Sequence, residues 1–395
     1  MRSLHQSFSV SFNYDVLFTE GIFSDKNPAL ISVVENDGTS GRRKFLIIID
    51  EGVNLHHPKL ISSIKSYFKA NQHILNLKGE PIVIPGGEQA KNEPQLVQDL
   101  LSVVNSRGID RHSYIMAIGG GAVLDMVGYV ASIAHRGIRH IRVPTTILSQ
   151  NDSGIGVKNG INAFNKKNFL GVFDPPYAVI NDFNFLLTLD NRDWRSGISE
   201  AIKVALIKDK EFFDFLIKEK DALVNRDLEK MKKLIHRCAE MHLQHIASKD
   251  PFETGSSRPL DFGHWAAHKL EQLTSFEIRH GEAVAIGIAL DTTYSHISGR
   301  LSKEEWEKTI NLISELGFEL FVPELLQKNL ETGEYEILKG LNEFREHLGG
   351  KLTIMVLTAI GTGVEVNEMD ENIIIISIKT LQEQENLKYT HKNPL

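Results

Sequence analysis

The sequence predicts a two-part molecule, an α/β domain on a mainly parallel sheet followed by a mainly α-helical domain. Three observations predict it. Over the first ~180 residues short β-rich runs alternate with helical patterns, which argues for parallel strands with helices on the sheet faces. At Gly119-Gly120-Gly121 a strand hands over to a helix through three residues without side chains. From about Asp193 onward the texture changes to long amphipathic stretches with few strand candidates.

The expected strands are Phe45 to Asp50 (FLIIID), Pro81 to Ile84, Tyr114 to Ile118 and Ile141 to Val143. Between them, Pro58 to Ala70 and Gln95 to Arg107 carry apolar residues at helical spacing. Leu228 to Ser248 and Gly281 to Ile297 are the clearest helices of the second half. The Pro175-Pro176 turn and Asp182 mark the expected boundary, giving domains 1–182 and 183–395. Leu352 to Thr358 fits a late strand or a buried helix, and the polar tail after Leu381 is expected at the surface or frayed.

A chain of 395 residues supports two or three domains with substantial cores. With 42% hydrophobic and 24% charged residues it folds and is not a disordered polyelectrolyte. Its net charge of −7 gives no general attraction to nucleic acid or an anionic membrane, so an anionic ligand must be met by a local basic cluster. Cys238 is the single cysteine, which excludes an intrachain disulfide and a Cys-based zinc site and suits a reducing compartment. The N-terminus has no apolar core of signal-peptide length and no stretch approaches about 18 apolar residues, so a cytoplasmic protein is expected.

At Gly119-Gly120-Gly121 backbone can approach a diphosphate, and a helix N-terminus there favours negative charge, although a glycine run serves equally well as a structural turn. Pro85-Gly86-Gly87-Glu88-Gln89-Ala90-Lys91 is a second glycine turn, with a carboxylate and an amine three residues apart. Glu88 reads either as a capping carboxylate or as an acceptor for ribose hydroxyls. Together the turns make the first domain Rossmann-like and nucleotide-binding.

The stretch His135 to Asn168 holds Arg136, Arg139, Arg142, Lys158, Lys166 and Lys167 against the lone acid Asp152, in a Gly- and Asn-rich run that reads as loop. It is either a solvated basic surface or, at the carboxyl edge of the sheet, a site for a phosphorylated substrate. Downstream, Glu200 and Lys203 are spaced to share a helix face, as are His264 and His268, and His280 opens HGEAV. One Glu and two His from separate helices would make a three-ligand zinc site open to substrate oxygens, against the chance that any of the 16 histidines is an ordinary one.

The order of GGExxK (Gly86 to Lys91), GGGxxxD (Gly119 to Asp125), Arg136-Gly137, VPTT (Val143 to Thr146), DSGIGVKNGIN, GISEAIK, DFGHWAAH and HGEAVAIG resembles the sugar phosphate cyclases, which include 3-dehydroquinate synthase and 2-epi-5-epi-valiolone synthase. The resemblance spans roughly residues 45 to 360. It implies a dehydroquinate synthase-like fold with a metal-binding helical domain, bound NAD⁺, one Zn²⁺ (or Co²⁺), and a phosphorylated sugar substrate. In the implied reaction an alcohol is oxidised transiently, phosphate leaves by β-elimination, the ketone is reduced, the ring opens, and an aldol step forms the carbocycle. By resemblance Glu88, Lys91, Gly119, Gly120, Gly121, Asp125, Thr145 and Thr146 fall at cofactor positions, and Glu200, His264 and His280 at metal ligands. Asp152, Lys158, Lys203 and His268 fall at catalytic positions, and Lys167, Asn168 and Asp261 at substrate contacts. Arg136 falls at a phosphate-binding arginine that reaches across to the other subunit in a homodimer. No nucleic acid or membrane partner is implied.

The departures bear on which cyclase this is. Dehydroquinate synthases usually have Asn where Asp261 stands, Gly where Leu124 stands, and a Lys-Lys pair where this chain reads Phe344-Arg345-Glu346-His347-Leu348-Gly349-Gly350. Asp261 and Glu346 would oppose a carboxylate-bearing substrate, since like charges at ~4 Å repel by roughly 4 kcal/mol at an effective dielectric of about 20. His268 is retained as in dehydroquinate synthases. The expected function is therefore a valiolone-synthase-type cyclase acting on sedoheptulose 7-phosphate or a close ketose phosphate, with 3-dehydroquinate synthase as the alternative. A polyol or glycerol-type dehydrogenase, which has no need of the basic cluster, and a catalytically dead binding module rank lower.

Overall fold

The computed structural model describes residues 3–35, 37–38, 40–164, 166–248, 250–252, 259–347 and 349–392. It divides into two compact units, residues 1–149 with 153–188, and residues 150–152 with 189–395.

The first unit is built on parallel strands β1 (Asp15–Thr19), β2 (Arg43–Asp50), β3 (Leu75–Leu77), β4 (Ile82–Ile84), β5 (Tyr114–Gly119) and β6 (Arg139–Pro144). An antiparallel hairpin of β7 (Lys158–Ala163) and β8 (Lys166–Phe173) follows, and then β9 (Ala178–Asp182). The seven-stranded sheet runs β1-β9-β6-β5-β2-β3 with β4 also on β2, and every pairing in it is parallel. Central strands are buried on both faces, as helices on each side require. In β2 the side chains alternate: Phe45, Ile47 and Ile49 enter one core, and Leu46 and Ile48 enter the other. Helix Leu60–Ala70 covers the first core through Leu60, Ile64, Tyr67 and Phe68, an i, i+4, i+7, i+8 stripe. Helices Pro94–Ser106 and Gly121–Ile133 cover the second.

The second unit contains helices Asn191–Lys208, Lys210–Val224, Leu228–Ile246, His264–Leu273, His280–Ile297, Lys303–Glu315, Lys339–His347 and Glu371–Lys392, with an antiparallel pair β10 (Ile354–Ala359) and β11 (Thr362–Val366). His280–Ile297 is its axis, buried at every position from Ala283 to Ser295. Among the described residues no helix is long and apolar enough to cross a membrane.

One local expectation changes and two open ones are decided. The Gly- and Asn-rich run read as loop forms the β7–β8 hairpin, whose backbones pair in an antiparallel ladder while Asn159 Nδ2 donates to Asp174 O at 2.9 Å. The open segment Leu352 to Thr358 is largely strand β10. The tail past Leu381 continues as helix to Lys392 and is not frayed, with Glu383, Asn386 and Leu387 at the surface and the buried Glu385 accepting from Leu320 N at 2.6 Å.

Candidate active site

In the α/β unit three turns lie at the carboxyl ends of neighbouring strands: Gly86-Gly87 beyond β4, Gly119-Gly120-Gly121 at the end of β5 and Thr145-Thr146 beyond β6. Open parallel sheets bind ligands at that edge. Gly120 is the N-cap of helix Gly121–Ile133 and has no side chain of its own to accept from the first-turn N–H groups. A Cβ on Gly121 would lie 2.5 Å from Ser153 Oγ, so only glycine lets the chain turn this tightly. Thr145 N donates to Gly119 O at 3.0 Å and joins two of the turns.

The polar residues beside these turns form one cluster. Buried Lys91 donates to Asp125 Oδ2 at 2.9 Å and also to Asn168 Oδ1. Glu88 is the N-cap of the short helix Gln89–Asn92, yet its side chain caps nothing. Its carboxylate accepts from Asn162 Nδ2 at 2.9 Å and pairs with Lys167 at 3.4 Å. Asn162 also donates to Asn92 Oδ1 at 2.8 Å and accepts from Asn168 N at 2.9 Å. Residues expected at the cofactor (Glu88, Lys91, Asp125) and at the substrate (Lys167, Asn168) are thus brought together.

Sequence reasoning missed Asn162 and Asp50. Asn162 had a signal in being a polar residue inside an apolar strand position. Asp50 ends the apolar run of β2 and accepts from Gly52 N at 2.8 Å; burial pushes its carboxyl above the ordinary range, and a Cβ on Gly86 would lie 2.6 Å from its oxygens.

Two members of the basic stretch have structural partners. Arg139 pairs with Asp37 at 2.7 Å and lies over the Tyr114 and Tyr177 rings. Arg142 is fully buried and donates to the carbonyls of Gly154, Gly156 and Lys158 and to Asn159 Oδ1. Neither meets the phosphate-binding expectation, because Arg139 is held by Asp37 and Arg142 is fully buried with both Nη atoms bonded to internal acceptors. Arg136 and Lys158 are exposed.

In the helical unit Glu200, on helix Asn191–Lys208, is 1% exposed. His264 Nε2 and His280 Nε2 each lie 3.7 Å from Glu200 Oε1. Each histidine opens its helix, and backbone contacts set both. Gly263 has φ +79°, and a Cβ on it would lie 2.6 Å from Ile288 N, so His264 is presented hard against the central helix. At the start of that helix Glu282 accepts from Arg279 N at 3.0 Å and from Arg192 at 2.7 and 2.6 Å, which anchors His280. The His268 ring centroid lies 5.5 Å from that of His264 and 5.9 Å from that of His280.

Charge around these groups is unbalanced. Burial depresses the Lys203 ammonium, but Glu200, Asp152 and Asp261 outweigh it and hold the amine protonated. Burial would raise Asp152, but Lys203 and His242, whose Nδ1 lies 2.8 Å from Asp152 Oδ1, keep it well below the usual range. Burial raises Glu200 despite its ion pair with Lys203. Burial, then Lys203, push His264 far down, so its imidazole is neutral. Three carboxylates, Glu200, Asp152 and Asp261, therefore act on one ammonium. Glu200 Oε1 is buried without a hydrogen bond, while Oε2 carries the ion pair with Lys203. A Glu200 oxygen and two imidazole nitrogens, all within 4.8 Å of one another, fit a divalent cation. His242 was also missed, since nothing in its sequence context sets it apart. Glu346 is exposed on helix Lys339–His347, and Leu348 of the same motif lies outside the described residues. Burial pushes the Cys238 thiol far up, so it is no nucleophile.

Similarity to known proteins covers most of the chain. Residues 81–196 match the family described as 3-dehydroquinate synthase N-terminal, and residues 197–334 match 3-dehydroquinate synthase C-terminal. The chain is 36% identical over 289 residues to the 3-dehydroquinate synthase of Sulfolobus acidocaldarius, covering 72% of this chain and 80% of that one. It is 29% identical over 358 residues to the 2-epi-5-epi-valiolone synthase of Streptomyces glaucescens, covering 91% and 88%. Its structure is similar to that of the 2-epi-5-epi-valiolone synthase ValA from Streptomyces hygroscopicus subsp. jinggangensis 5008, solved with NAD⁺ and Zn²⁺ bound, at a TM-score of 0.83 and 28% identity over 96% of this chain and all of that one. Fold and site together define an enzyme of the sugar phosphate cyclase class, a phosphate-eliminating lyase. Within that class the chain belongs to the 3-dehydroquinate synthase family.

Proposed function

We propose that this chain is a valiolone-synthase-type cyclase that closes sedoheptulose 7-phosphate, or a close ketose phosphate, into a carbocycle with loss of phosphate. The observation that carries this reading is Asp261, the third carboxylate whose field acts on Lys203. A substrate carboxylate placed beside Asp261 would meet like charge, whereas a hydroxymethyl end donates hydrogen bonds to it.

Glu200, His264 and His280 hold the divalent metal, and Glu88, Lys91, Asp125, Thr145, Thr146 and the Gly119–Gly121 turn hold NAD⁺. When bound, the two supply a Lewis acid for the substrate's oxygens and a reversible hydride acceptor. Lys203, kept protonated, offers a buried cation to a developing oxyanion, and Asp152, kept ionised, accepts from a substrate hydroxyl. Lys158, Lys167 and Asn168 receive the phosphate. Arg136 sits exposed at φ +62° between His135 at +52° and Gly137 at +111°, a strained turn that suits an arginine serving the other subunit of a homodimer. A lone, buried cysteine suits a reducing, cytoplasmic setting.

The second reading is 3-dehydroquinate synthase, favoured by His268 beside the two ligand imidazoles, where a protonated ring would offset a substrate carboxylate. Mass spectrometry after separate incubation with sedoheptulose 7-phosphate and with the seven-carbon keto-acid phosphate precursor of dehydroquinate decides between them. A carbocycle from the first substrate is expected; product from the keto acid alone would overturn the first reading. Because oxidation and reduction cancel, many turnovers per bound NAD⁺ are expected, and NADH accumulating in step with product would mark a dehydrogenase.

A further inference from the structure

Glu271 lies seven residues after His264 on helix His264–Leu273, two turns along the same face, and is 2% exposed. Its Oε2 stands 3.4 Å from His280 Nδ1, while His280 Nε2 faces Glu200 Oε1 at 3.7 Å. A neutral imidazole has one N–H and one lone pair. A carboxylate accepting at Nδ1 fixes the proton there, leaves the lone pair on Nε2, and holds the ring plane in one direction. His264 is served in the same way by a backbone group: its Nδ1 lies 3.2 Å from Phe262 O, again with Nε2 towards Glu200. The two histidines thus share one arrangement, Nδ1 anchored and Nε2 aimed. Only the His280 anchor is a side chain.

We propose that Glu271 is a positioning residue for the metal centre, setting the tautomer and aim of His280 without itself binding the ion. The inference rests on reading Glu200, His264 and His280 as the metal ligands. His268, Glu271 and His280 also bring ligand atoms within 4.8 Å of one another. A second ion there alongside the first would require both His280 nitrogens as ligands, and therefore loss of the ring N–H proton, so anchoring is the less demanding role.

The test is zinc affinity of the purified full-length chain, measured by competition with a chromophoric chelator, with the thermal midpoint of the metal-free protein measured in parallel. Wild type should bind one equivalent. Glu271→Ala should bind about 10- to 100-fold more weakly, the range typical for loss of such an outer partner. Glu271→Gln, which keeps an acceptor oxygen without the charge, should fall between the two, with metal-free midpoints unchanged. Equal affinity in wild type and Glu271→Ala overturns the positioning role and leaves the ligand assignment standing. Two equivalents in wild type falling to one in Glu271→Ala overturns it in favour of a second site. If wild type binds no zinc, the ligand reading fails and this inference with it. Should the alanine variant not fold, Glu271→Gln carries the same test, and wild-type affinity in it counts against the proposal.

Discussion

Asp291 accepts the indole N–H of Trp265 on Oδ1 at 2.9 Å, while its Oδ2 accepts from Gly263 N, also at 2.9 Å. One buried carboxylate on the central helix thereby grips the chain on either side of His264.

That grip has a pH signature. Burial pushes Asp291 up to about 7 from an ordinary value of 3.8, so the folded protein holds this proton more tightly than the unfolded chain does. Its contribution is fully present below about pH 4 and is lost as pH rises through about 7. At 1.4 kcal/mol per unit the change amounts to about 4 kcal/mol. Denaturant unfolding of metal-free wild type and Asp291→Asn from pH 4 to 8 should show their stability difference moving towards the variant by that order. Parallel curves would refute the raised pKa of Asp291.

His264→Ala and His280→Ala should each lose bound zinc and all measurable turnover with the α/β unit still folded, because its cores contain neither residue. Metal content by atomic absorption and far-UV dichroism check this. Full zinc stoichiometry in both variants would remove them from the ligand set.

Lys158→Ala is the cleaner probe of the phosphate site, and Lys203→Ala the costlier one. Lys158 is exposed, so its loss should slow phosphate release by about 10²-fold and leave NAD⁺ affinity alone. Lys203 is buried against Glu200, and its removal strands a carboxylate at a cost of about 3–5 kcal/mol. Rapid-quench phosphate assays and a denaturation curve separate the effects; unchanged release in Lys158→Ala would make that residue ordinary solvated surface.

Asp261→Asn should narrow the preference for a neutral-ended ketose phosphate over the keto-acid phosphate by about tenfold in the ratio of kcat/KM values, roughly 1.4 kcal/mol of relieved repulsion. The shift should be partial, since Asp152 and Glu200 still face Lys203. A wild-type preference for the keto acid would instead promote the dehydroquinate reading.

Much of this was legible in the chain because the signals are local. FLIIID and YIMAI announce buried strands by continuous apolar character, and GGG announces a tight strand-to-helix turn by lacking side chains. Glu200 and Lys203 share a helix face by spacing alone, and they do form an ion pair. The same local view misread the β7–β8 hairpin, because Asn and Gly look like loop until partners across the ladder are known.

The sequence by itself determined the architecture and the glycine turns, since each depends on residues within a turn or two of one another, while the candidate ligands emerged from the order of motifs spread along the chain. Only tertiary structure decided which cations of the basic run are held inside the fold and which stand exposed. Arg142 and Arg136 read alike in a basic run, yet one is buried on backbone carbonyls and the other stands in solvent. His242, Asp291 and Glu271 also acquire their roles only in three dimensions. Long-range packing brings His242 to Asp152, Asp291 to Gly263 and Trp265, and Glu271 to His280. Burial then makes each of these contacts matter, because a charge or an imidazole removed from water takes its state from the few groups beside it.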